Sequence, residues 1–267
     1  MILKVRDGIE LYYEKHLIDN PKATIIIVHG LGENQSRYAW VTEKLNEQGY
    51  SVYRYDHRGH GRSGGKRGYV KHFTDIINDL DELVDLVRNE EQTPVYLLGH
   101  SMGGFTVNNY GAHHSDKLAG IISSAAPGII LNMVKILTKI PFKLIGWINY
   151  KNALGGALSH DPQVPIDYET DPYNLKKFKI RLLGTMFIEG VRDLHANIQN
   201  FTCPVLYLHG TGDTIVEYQS TKWLYANNPT KDKSIVLYDG MYHEILNELE
   251  KDKVMNDILS WLNERNE

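Results

Sequence analysis

The sequence predicts an α/β fold: a mostly parallel central sheet with helices on both faces and an inserted, mainly helical cap. Three observations lead there. Short β-branched or aromatic runs recur along the chain, helical stretches separate them, and the alternation stops between Pro127 and about Gln199. A chain of 267 residues, 42% hydrophobic and 23% charged, can bury one large core together with an insertion.

The elements follow in order. Residues 4–16 alternate around the turn dipeptide Asp7-Gly8 and predict an antiparallel hairpin at one edge of the sheet. Strands are expected at 24–28, 51–55, 95–98, 118–123, 205–208 and 235–238, and helices at 38–47, 74–89, 102–113, 218–226 and 244–263. In the last helix Ile245, Leu249, Ile258, Trp261 and Leu262 are the candidates to pack on the sheet. The break gives a core of residues 1–126 and 200–267 and a cap of 127–199, because so long an interruption without disordered composition reads as an insertion. Lys135, Lys139 and Lys143 recur every four residues, so a helix kinked at Pro141 would carry one basic stripe on an apolar surface. Such an element covers a pocket, rests on a lipid surface, or does both; three lysines argue against a transmembrane span.

With 29 Lys and Arg against 33 Asp and Glu, the net charge of −4 provides no field for nucleic acid. Cys203 is the single cysteine, so no internal disulfide forms, and the N-terminus lacks the apolar run of a signal peptide. These features place the protein in the cytoplasm as an expectation, with peripheral membrane contact through the cap.

Chemistry concentrates at Gly99-His100-Ser101-Met102-Gly103, a serine between glycines where the strand 94–98 meets a helix. Such a turn lifts the hydroxyl out of the backbone as a nucleophile. Ser101 then needs a base and a carboxylate to orient that base. Residues 205–213 are a strand and glycine-rich loop ending in Asp213, the candidate acid. Residues 235–243 are the last strand and a loop ending in His243, the candidate base. Asp239 is a rival acid, but it lies only four residues before the histidine and reads better as a surface turn residue. Two backbone N–H groups should hold a developing oxyanion: Met102, directly after the nucleophile, and Leu31, in the turn His29-Gly30-Leu31-Gly32. His100 and Met102 flank the nucleophile and line or support the pocket.

His29-Gly30-Leu31-Gly32-Glu33, the run 56–63 (Asp-His-Arg-Gly-His-Gly-Arg-Ser), Gly99 to Gly104 and Tyr242-His243 resemble, in order, the landmarks of monoacylglycerol lipases and related lysophospholipases of the α/β-hydrolase fold. Leu158 to Pro162 and Asp171-Pro172 resemble the family's cap. The resemblance implies a Ser101–His243–Asp213 triad and a serine ester hydrolase acting on a monoacylglycerol, a small lipid ester. Lysophospholipids and short-chain esters are the alternatives on the same machinery; a cofactor-free haloperoxidase or a binding receptor are those from other classes. It also implies that Glu33 and Arg37 help hold a glycerol headgroup, although the two could instead pair with each other. Leu246 departs from the animal enzymes, which have a second histidine there.

No metal or cofactor is expected. His57 and His60 lack a third nearby ligand, the hydrolysis needs no Lewis acid, and in the resembled family this turn is structural. Phe142, Trp147, Phe178, Met186 and Phe187 are apolar enough to receive an acyl chain, but a satellite core would use the same residues.

Overall fold

A computed structural model describes residues 1–266. The central sheet has eight strands: β1 (Ile2–Lys4), β2 (Glu10–His16), β3 (Ala23–Val28), β4 (Tyr50–Tyr55), β5 (Val95–His100), β6 (Gly120–Ser124), β9 (Val205–Gly210) and β10 (Lys233–Tyr238). A smaller ribbon pairs β7 (Asn149–Lys151) with β8 (Lys177–Lys179). The spatial order in the large sheet is β1-β2-β4-β3-β5-β6-β9-β10. The pairs β1–β2 and β2–β4 are antiparallel, and the remaining pairs are parallel. The expected N-terminal hairpin is present, turned by Gly8 at φ +85°, where its N–H reaches Val5 O at 2.7 Å.

Parallel strands covered on both faces alternate their side chains between two apolar layers. Ile25, Ile27, Leu98 and Ile122 face one way and pack with α1 (Ala39–Glu47) and α8 (Lys251–Asn263). Ile26, Val28, Leu97 and Ile121 face the other way, towards α2 (Phe73–Glu91) and α3 (Met102–His114). Further along the chain α7 (Gln219–Asn227) contacts β9 and β10.

Between β6 and β9 the chain forms a 3-10 segment (Asn132–Lys139), the β7–β8 ribbon and α4 (Gln163–Thr170). It continues through α5 (Ile180–Gly184) and a π-helical turn (Thr185–Gly190) into α6 (Val191–Asn197). The expected lysine-striped α-helix is absent. Leu131, Val134 and Leu137 are the buried residues there, a spacing of three that a 3-10 winding brings onto one face, and the backbone is extended at Ile140 before Pro141. Lys143 pairs instead with Glu189 at 2.5 Å.

The last helix is also shorter than its pattern suggests. It begins at Lys251, not 244, because the side chains of Glu244 and Glu248 turn inward to partners described below. Leu249 is consequently 69% exposed, whereas Ile245, Ile258, Trp261 and Leu262 are buried as expected. No helix among the described residues is long and apolar enough to cross a membrane.

Candidate active site

Ser101 sits between the end of β5 and the start of α3 with φ 54° and ψ −117°. A non-glycine residue in that region costs on the order of 1–3 kcal/mol, and the surroundings hold it there. Ser101 donates its N–H to Ser124 O at 2.9 Å and accepts the Phe105 N–H at 2.8 Å. The flanking glycines serve close approach. A Cβ on Gly103 would drive into the Val28 carbonyl, one on Gly99 into the Gly103 carbonyl, and one on Gly104 would stand 2.9 Å from Ala126 Cβ. The left-handed conformation belongs to the serine, and the room for it comes from the glycines.

The structure brings together three residues from three loops. His243 Nε2 lies 2.9 Å from Ser101 Oγ, and His243 Nδ1 lies 2.6 Å from Asp213 Oδ2. Asp213 ends the loop after β9, where its Oδ1 accepts the N–H groups of Ile215 at 2.8 Å and Val216 at 3.0 Å. His209 was not foreseen: its Nε2 reaches Asp213 Oδ2 at 3.0 Å and Val216 O at 2.8 Å, while Thr221 Oγ1 lies 2.6 Å from its Nδ1. Those partners assign the proton to Nε2, so His209 steadies the carboxylate that faces His243. Burial pushes the Asp213 carboxyl up, but His243 and His209 outweigh it and hold it far below the ordinary carboxylate range. Burial disfavours a protonated His243; Asp213, aided by Glu244 and Glu33, outweighs this and raises its pKa. Asp239, by contrast, is exposed on a turn, accepting from Thr211 Oγ1 at 3.1 Å.

Met102 is the first residue of α3, so its N–H belongs to the helix's first turn, where amides have no intrahelical acceptor. The Gly30–Leu31 peptide is oriented from behind. His29 Nδ1 donates to Gly30 O at 2.8 Å, and its Nε2 accepts the His57 N–H at 3.0 Å, which fixes the tautomer. In a trans peptide the Leu31 N–H points opposite to that carbonyl. Gly30 lies close against the nucleophile: a Cβ built on it would be 3.2 Å from Ser101 Cβ. His57 and His60 therefore belong to a buried scaffold. His57 Nε2 donates to His29 O at 3.1 Å, and His60 Nδ1 is 3.2 Å from Arg58 O.

Glu33 and Arg37 pair, and Glu244 joins them. Arg37 Nη1 donates to Glu33 Oε2 at 2.6 Å and Glu244 Oε1 at 2.7 Å, and its Nη2 donates to Glu244 Oε2 at 2.7 Å. Glu33 Oε1 also accepts the Gly30 N–H at 2.5 Å and the Tyr38 hydroxyl at 2.8 Å. Burial pushes the Glu33 carboxyl up; Arg37 and neighbouring histidines pull it well below its ordinary value. The Tyr168 ring lies 5.1 Å from the Arg37 guanidinium, and its hydroxyl donates to Leu31 O at 3.1 Å.

The segment between β6 and β9 is fastened to the histidine loop. Glu244 N–H donates to Leu158 O at 2.7 Å. Buried Glu248 accepts Tyr242 N–H at 2.7 Å and lies 2.9 Å from His160 Nδ1. Leu246 is buried in the apolar layer beneath α1 and α8.

The space left at Ser101 is a cavity of about 10 Å³, lined by Leu31, Glu33, His100, His243, Glu244 and Leu154 among others. That volume is about one water. Leu154 also lines a larger, mainly apolar cavity of about 230 Å³, with Ile129, Leu131, Met133, Phe178 and Ile215, and with Lys135 and Glu217 among its polar lining. Of the aromatic and methionine residues expected to receive an acyl chain, Phe178 lines this cavity. Phe142, Met186 and Phe187 are buried in the main apolar layer, and Trp147 is 69% exposed.

A serine, histidine and aspartate so connected on this sheet are the constellation of a serine hydrolase of the α/β-hydrolase fold. Residues 19–250 match Hydrolase_4, described as serine aminopeptidase, S33, and the chain belongs to that family. It is 31% identical over 263 residues to a monoacylglycerol lipase of Mycolicibacterium smegmatis, covering 96% of this chain and 93% of that one. A monoglyceride lipase of Rattus norvegicus is 29% identical over 92% of this chain and 84% of its own length. Among solved structures, the monoacylglycerol lipase of Paleococcus ferrophilus superposes with a TM-score of 0.86 at 29% identity, over 96% of this chain and 99% of that one.

Proposed function

We propose that the protein hydrolyses monoacylglycerol to glycerol and fatty acid, with Ser101 as nucleophile, His243 as base and Asp213 as its orienting acid. The observation that carries this reading is His243 bridging Ser101 Oγ and Asp213 Oδ2, with an apolar cavity one residue, Leu154, away. His243 takes the Ser101 proton as Oγ attacks the ester carbonyl. The N–H groups of Leu31 and Met102 receive the oxyanion, and His243 then protonates the departing glycerol oxygen. Water, deprotonated by His243, attacks the acyl-enzyme; the tetrahedral adduct expels Ser101 Oγ, which regains its proton, and the fatty acid leaves.

In this reading residues 127–199 are the cap. The larger cavity, bounded by Ile129, Met133 and Ile215, takes the acyl chain, and the side of the small cavity lined by Glu33 and Glu244 takes the alcohol. Arg37 contributes by fixing that wall through its hydrogen bonds to Glu33 and Glu244, and Glu33 contributes by offering carboxylate lone pairs to glycerol hydroxyls. The cap also presents exposed Ile136, Ile140, Leu144 and Trp147 beside Lys135 and Lys139, a composition suited to resting on a lipid surface. Liposome flotation with and without anionic lipid tests the surface; absence of binding in both rejects it.

The reaction is tested by monooleoylglycerol hydrolysis with wild type and Ser101→Ala. The variant is expected to lose roughly 10⁴-fold or more in kcat. Equal rates would remove Ser101 from the chemistry.

A further inference from the structure

The alcohol side of the Ser101 cavity has an unusual charge arrangement. Two buried carboxylates, Glu33 and Glu244, line it, and the cation that joins them, Arg37, is not among the lining residues. Both prongs of the guanidinium are engaged by Glu244, each at 2.7 Å, and Nη1 is shared with Glu33 at 2.6 Å. Asn247 Nδ2 holds Glu244 Oε2 from the other side at 2.8 Å. One guanidinium against two carboxylates leaves a net charge of −1 on this wall, and when His243 is neutral the ionised Asp213 behind it supplies no compensating positive charge.

We propose that Glu244 is a specificity-determining residue. By occupying both prongs of Arg37 it keeps the wall of the Ser101 cavity negative and restricts substrates to esters whose alcohol portion carries no net negative charge. This rests on the reading of Ser101 as an ester-hydrolysing nucleophile with the alcohol on that wall.

A glycerol hydroxyl meets the wall as a donor to carboxylate oxygen. A phosphodiester meets like charge, and the guanidinium fork that would suit it bidentately is already filled. At an effective dielectric of about 20, one uncompensated unit charge some 6 Å from an anionic headgroup changes its reactivity by about a hundredfold. Removing the Glu244 charge leaves Arg37 paired with Glu33 alone, so the wall loses its net negative charge, and at least one Arg37 N–H loses its carboxylate acceptor.

The test compares kcat/KM for monooleoylglycerol, oleoyl lysophosphatidylcholine and oleoyl lysophosphatidylglycerol in wild type, Glu244→Gln and the double variant Arg37→Gln/Glu244→Gln. The ratio of lysophosphatidylglycerol to monooleoylglycerol is expected to rise about tenfold or more in Glu244→Gln and to fall back in the double variant. The zwitterionic lipid should shift far less. Glu244→Met, of similar reach, makes the same comparison if the amide variant does not fold. Equal loss on all three lipids, or a rise that persists without Arg37, overturns the proposal while monooleoylglycerol hydrolysis by wild type stands. Absence of any Ser101-dependent ester hydrolysis in wild type overturns the underlying reading and the proposal with it.

Discussion

His243 Nδ1 and Asp213 Oδ2 stand 2.6 Å apart, and the same carboxylate oxygen lies 3.0 Å from His209 Nε2. The base is therefore held by an acid that is itself held. His243 must be neutral to accept the Ser101 proton, and its environment favours the protonated form over that of an ordinary histidine. The acid limb of kcat/KM for monooleoylglycerol should have its midpoint above the ordinary value of about 6.5. Replacing Glu244 by Gln removes one of the carboxylates that raise His243 and should move that midpoint to lower pH. A midpoint that moves upward in the variant would contradict the assignment.

The elbow's glycines are predicted to differ sharply from a glycine in the open. Gly103→Ala places a methyl in the Val28 carbonyl and should cost more than about 3 kcal/mol or abolish folding. Gly156→Ala meets nothing within 4 Å and should change stability by less than about 0.5 kcal/mol. Urea unfolding followed by circular dichroism measures both.

Leu154 borders both the cavity at Ser101 and the larger apolar one. Leu154→Trp should enlarge the partition that the two cavities share. The expected result is a fall of about tenfold or more in kcat/KM for long-chain esters relative to acetyl or butyryl esters. A parallel loss across chain lengths would place the acyl chain elsewhere.

His60 is fully buried, and burial, followed by His29, pushes its pKa down to about 3. The unfolded chain takes up a proton near pH 6.5 that folded His60 refuses. The stability at stake is present above that pH and declines as pH falls from about 6.5 towards about 3, by about 1.4 kcal/mol per pH unit. His60→Gln should reduce the pH slope of the unfolding free energy by about one proton in that window. An unchanged slope between about pH 6 and pH 4.5 would sink the prediction.

The positions of the strands, the elbow and the sequence of Ser101, Asp213 and His243 along the chain were legible because each depends on local pattern: an apolar run, then a turn, then a reactive residue. Glu244 and Glu248 were not. A glutamate at the start of an apparent amphipathic helix reads as solvated, and nothing local reveals that Arg37 and the Tyr242 N–H lie opposite. Their inward turn is also what delays the helix to Lys251 and leaves Leu249 exposed. The lysine spacing misled for a related reason. A four-residue repeat assumes α-helical winding, whereas Leu131, Val134 and Leu137 bury at intervals of three. His209 looked like part of a strand end, and its role emerges only when Asp213 folds back onto it.

The central claim, that Ser101 is an activated nucleophile, is tested most directly by intact-protein mass spectrometry after treatment with a fluorophosphonate, followed by peptide mapping. The account predicts one adduct per chain, on Ser101, formed much more slowly in His243→Ala. A chain that remains unmodified, or an adduct on a different residue, would contradict it.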